Sequence, residues 1–229
     1  MNRTEAIIRM HSRNKQQWFY IPWIILMSSF GVNLIVGAFN PAVEGTYTGG
    51  IASIFIYTFV IGILAFVQTF PFALGLSVRR RDYYWGTLTS AVIAFAFTAL
   101  LLFLFSIAES QWTNNWGVNL HFFDLPYWSD GNIINRFLIP LLLLLNQFVF
   151  GFAIGGFYRR FGKIGMLVIA IVVIVLGTVA SFILSTYGYW ANLFDWFSDM
   201  TMIELALYTL PITVLLAALA YGFIRRATV

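Results

Sequence analysis

Apolar residues along this chain come in long runs, not in the alternation of a half-buried strand. A hydrocarbon layer of about 30 Å takes roughly 20 helical residues at about 1.5 Å each. Six runs reach that length: Tyr20–Phe39, Ile51–Leu76, Tyr84–Ile107, Asn135–Phe157, Ile164–Leu184 and Ile203–Ile224. None carries Lys, Arg, Asp or Glu near its centre; Arg136 and Glu204 stand at ends, where they reach the interface. Strands of a membrane barrel are about 10 residues long with alternating polarity, whereas Ile164–Leu184 runs uncharged for 21 residues. The pattern predicts an all-α polytopic membrane protein with six transmembrane helices, forming one domain over residues 1–229.

Polar positions refine this reading. Residues 1–17 hold Arg3, Arg9, Arg13 and Lys15, too polar for a signal peptide, so the first run is expected to be a retained span. Within that segment Asn2–Glu5 resembles a capping box, and Ile7, Ile8 and Met10 interleave with arginines. This fits an amphipathic helix lying on the inner leaflet. Gln68 and Pro71 interrupt the second run late and predict a kink or unwinding there. Asn146 and Gln147 lie mid-span in the fourth, ahead of Gly151-x-x-x-Gly155-Gly156, and Pro211 lies early in the sixth. Small residues one turn apart permit close helix approach, and buried amides bond across helices; the same positions also suit a translocation path, so both readings stand for Gln68, Asn146 and Gln147. The loops Ser110–Asn132 and Tyr187–Met202 are dense in Trp, Tyr and Phe, as short interfacial helices or an aromatic belt would be.

Composition agrees: 60% of the 229 residues are apolar and 10% charged, against about 45–50% and about 25% in soluble domains. With Cys at zero, a disulfide-stapled module is excluded. The net charge of +4 matters less than its distribution. Twelve of the 13 basic residues fall in the N-terminal segment, the 77–83 and 158–163 turns and the C-terminal tail; Arg136 is the exception. By the positive-inside rule these are the cytoplasmic pieces. Expected, then, is a multi-pass protein of the cell membrane with both termini cytoplasmic.

Several chemistries lack their residues. The two histidines, His11 and His121, stand outside the spans, so an intramembrane zinc site or Ser–His dyad has no base or ligand pair. Gly156–Ile164 imitates a phosphate loop but has five residues between its glycines and Ile164 in place of Ser or Thr; it reads as a positive-inside turn. No enzymatic activity, metal or other cofactor is expected, and no nucleic-acid partner. The spans also lack the buried carboxylates common in ion-coupled carriers, so energy for uphill transport would come from a separate subunit.

A surface for such a subunit stands between the second and third runs. Arg79, Arg80, Arg81, Asp82, Tyr83 and Tyr84 make one short charged and aromatic bend, suited to a protein cleft and also to an ordinary positive-inside loop. The whole stretch Phe70–Thr87, with the inner-leaflet N-terminal helix and six spans, resembles a permease of the ABC-2 type, in small bacterial form. The resemblance implies a coupling turn at Arg79–Tyr84 that docks on a cytoplasmic ATP-binding-cassette ATPase subunit. It also implies a homodimer, or a heterodimer with a second permease, surrounded by membrane lipids and acting as an exporter. Two alternatives stay open: a non-transporting scaffold of an immunity or stress-sensing kind, and a secondary carrier.

Overall fold

The computed structural model describes residues 3–39, 45–125, 128 and 132–226; Asn2 of the capping-box-like start and part of the aromatic loop Ser110–Asn132 lie outside them. About 85% of the protein is helical. Helix α1 (Arg3–Arg13) leads through a π-helical turn at Gln16–Tyr20 into α2 (Ile21–Phe39). Then come α3 (Ala52–Leu64), a second π-helical turn at Ala65–Thr69, and the short α4 (Phe70–Gly75). Helix α5 (Arg80–Ile107) is followed by α6 (Asn135–Thr186), α7 (Trp190–Ser198) and α8 (Met202–Arg226). A parallel pair of two-residue strands, β1 (Thr46–Tyr47) and β2 (Leu120–His121), joins two loops at the end away from the arginine-rich turns.

Among the described residues, five helical stretches are long and apolar enough to cross a membrane. One of them, α6, spans 52 residues, which straight would measure about 78 Å against a hydrocarbon layer of about 30 Å. It is not straight. Gly162 has φ 68° and ψ −165°, backbone space that is essentially glycine-only. Phe150, Ile154 and Phe157 before it line one cavity together with Met166, Ala170 and Ile174 after it. In a continuous helix Ile154 and Ala170 would stand about 24 Å apart, so α6 folds back at Gly162 into two arms. The arginine-flanked turn expected from the sequence is there, with helix on both sides of one glycine.

The core is aromatic. Phe66, Phe70, Tyr83, Phe148 and Phe152 are fully buried, with ring centroids 5.0 Å apart for Phe66–Phe70 and Phe66–Phe152. Helix α3 crosses the first arm of α6 where Gly62 meets the backbone of Phe148 and Gly151 meets that of Phe59. A β-carbon at either position would enter the facing backbone, so the glycine spacing sets this crossing. The second arm behaves differently: every residue from Leu167 to Ile183 is exposed. A helix apolar on all faces and open on all faces is stable in lipid, not in water.

Candidate functional site

The turn before α5 is built as a Schellman motif. The Val78 N–H donates to the Ala73 carbonyl at 3.2 Å and the Ser77 N–H to the Leu74 carbonyl at 2.9 Å. This pattern needs a left-handed residue at the position after the cap, and Ser77 supplies it at φ 59° in place of the usual glycine. Arg79 is extended, at φ −69° and ψ 141°, and starts α5. Asp82 stands in the first turn, where the helix dipole favours a negative charge.

Three residues of the turn hold the rest of the bundle. The Arg80 guanidinium donates to the last carbonyls of α8, Ile224 at 3.1 Å and Arg225 at 2.8 Å. These acceptors have no partner within their own helix. The Tyr84 hydroxyl donates to the Ala217 carbonyl at 2.9 Å, also on α8. The Tyr83 hydroxyl donates to the Ala65 carbonyl in the second π-helical turn and lies 2.6 Å from the Thr69 hydroxyl. Tyr83 and Tyr84 are buried. What the turn leaves accessible is Leu76, Ser77, Arg79, Arg81 and Trp85.

A fourth grip comes from α6. Pro71 has no N–H, so the carbonyl four residues earlier, Val67, loses its helical donor. Arg159 fills the gap, donating from Nη2 to that carbonyl at 2.7 Å. The interruption foreseen at Gln68 and Pro71 is thus a π-helical turn, with Tyr83 donating to its Ala65 carbonyl and Arg159 to the Val67 carbonyl that the proline leaves free. Gln68 itself is exposed and lines a cavity of about 330 Å3 with Met10, His11 and Asn14.

Helix α1 lies across the start of α5. Ile7 is buried and touches the space where a Gly86 β-carbon would be. His11 Nε2 is 3.0 Å from the Thr87 hydroxyl, with the Trp18 ring 4.9 Å away. Burial pulls the His11 imidazole down from 6.5 to about 4, so it is neutral near pH 7. The predicted amphipathic helix therefore faces the bundle with Ile7 and His11, and Arg9, paired with Glu5 at 3.5 Å, faces outward.

Of the mid-span amides, Asn146 donates to the Thr213 hydroxyl on α8 at 2.8 Å. That bond clasps two helices. Gln147 is half-buried beside it in sequence, and Arg79–Tyr84, Gln68 and Asn146–Gln147 do not converge on one pocket.

At the opposite end a second organised centre escaped the sequence reading. Glu109 is fully buried. Its carboxylate accepts the Trp116 indole N–H at 2.7 Å and the backbone N–H groups of Phe122, Phe123 and Asp124 at 3.0, 2.9 and 2.9 Å. Asp124 in turn accepts from Ser106 at 3.1 Å and pairs with Arg136 at 3.4 Å. The one basic residue outside the arginine-rich pieces thus has a defined acidic partner. Only the acid at the end of an apolar run signals this centre in the sequence; the loop geometry that aims three amides at it does not show there.

The chain matches no family model, no curated protein and no solved structure.

Proposed function

We propose that the protein is the membrane-spanning permease subunit of an ATP-binding-cassette transporter, acting as an exporter and driven by a separate cytoplasmic ATPase. Six spans with both termini on the cytoplasmic side follow if each arm of α6 crosses once, which places Arg79–Arg81, Arg159, Arg160 and Lys163 on one face. One observation carries the reading: the turn at 76–81 exposes Arg79 and Arg81 while Arg80, Tyr83 and Tyr84 hold α8 and the π-helical turn after α3. A partner that pushes on the exposed arginines moves two membrane helices with them. The uncharged span centres agree with energy supplied from outside the membrane.

The test is co-purification of an ATPase with the parent chain and with the double variant Arg79→Glu/Arg81→Glu. Loss of the ATPase from a variant that still folds supports the reading. An intact complex with unchanged transport overturns it.

The centre at Glu109 favours a second reading, in which a rigid outer cap binds a partner and the protein is a membrane scaffold. In that case no ATPase accompanies it, and disrupting the cap, not the turn, abolishes activity.

A further inference from the structure

A slot of about 260 Å3 opens between the elbow of α1 and the flank of α5. Its apolar lining is Trp18, Phe19, Ala94 and Phe97, and its polar lining is the buried His11 with the exposed Ser12 and Lys15. From Ser90 to Phe97 the α5 wall descends about 10 Å along the helix axis. Ile93 and Phe97 are 57% and 51% exposed, so the slot is open sideways to hydrocarbon as well as at its basic rim. A water molecule's share of liquid is about 30 Å3 and a methylene takes a similar volume, so the slot holds roughly nine methylenes.

We propose that this slot binds one anionic phospholipid, with an acyl chain along Phe19, Ala94 and Phe97 and the phosphate at Lys15. Charge complementarity selects that occupant. Lys15 is exposed, and it forms no salt bridge among the described residues. Arg13 stands two residues away and is also exposed. His11 is neutral at this rim and Arg13 does not line the slot, so the attraction falls to the lysine. An uncharged lipid gains the apolar contacts alone; an anionic one gains both. The proposal rests on insertion in a membrane with the arginine-rich end at one interface, and is independent of any ATPase.

The test is native mass spectrometry of the whole chain, released from uncharged detergent micelles after incubation with phosphatidylglycerol or phosphatidylcholine. Retained phosphatidylglycerol is expected to exceed phosphatidylcholine by about fivefold, the factor set by one basic residue at an anionic surface. Lys15→Glu removes the preference. Ala94→Trp fills the slot and removes retention of both lipids; Ala94→Leu is read in the same way if the tryptophan variant does not fold. Lys163→Glu, on the remote turn of α6, leaves the preference intact. Equal loss in Lys163→Glu overturns the proposal in favour of a diffuse basic field, and retention in the slot-filled variant overturns it in favour of surface attraction. Displacement of the lipid by equimolar glycerol phosphate overturns it in favour of a free-anion site.

Discussion

Arg159 donates to the Val67 carbonyl, four residues ahead of Pro71, so a side chain of α6 replaces the backbone donor that a proline took away. Hydrogen bonds to charged groups are worth about 1.5–3 kcal/mol. Arg159→Met is therefore expected to destabilise the protein by about that amount in mixed-micelle unfolding. Pro71→Ala returns an N–H to the site, so the penalty of Arg159→Met shrinks in the Pro71→Ala background. Equal penalties in the two backgrounds would show that the carbonyl is not what Arg159 serves.

Glu109→Gln exchanges a four-fold acceptor for a group with one acceptor oxygen and an NH2. At least one of the Phe122, Phe123 and Asp124 amides then faces a donor. The cost is expected at about 1–3 kcal/mol, with faster hydrogen exchange confined to residues 120–125 and a shifted Trp116 emission. Unchanged exchange there would remove Glu109 from the role given to it.

His11 titrates lower in the folded protein, at about 4, than its ordinary 6.5. Between those values the unfolded chain binds more protons, so stability rises with pH across that window and falls as pH drops through it. His11→Gln keeps a partner for Thr87 and lacks the titration. The difference in stability between parent and variant should slope between about pH 4 and 6.5 and be flat above.

Gly162→Ala places a β-carbon at φ 68° and ψ −165°, at a cost of about 1–3 kcal/mol. The chain contains no cysteine, so spin labels at Ile154→Cys and Ala170→Cys report the α6 arms without background. They are expected close together in the parent and spread in the Gly162→Ala variant.

The long apolar helices, the interruption before Pro71 and the close crossing at Gly151 were all legible in the sequence, because length, proline and glycine spacing act locally. The faces of the helices were not. In a span, both the lipid side and the protein side are apolar, so periodicity gives no sign that Tyr83 and Tyr84 turn inward while Arg79 and Arg81 stay out. Arg80 reads as one of three equivalent arginines until the end of α8 is placed beneath it. Proline arithmetic could have marked the Val67 carbonyl as needing a donor. Nothing in the sequence marks Arg159 as that donor, or Glu109 as the acceptor for three amides.

The second arm of α6 joins the first at a single glycine, and the two arms and α8 together line a cavity of about 500 Å3. With every residue from Leu167 to Ile183 exposed, what can anchor the second arm's tilt in a membrane is the turn at Gly162 at one end and the exposed Tyr187, Tyr189 and Trp190 at the other. In bilayers of different thickness such an arm would accommodate the mismatch by leaning about Gly162, while the aromatic core keeps its packing.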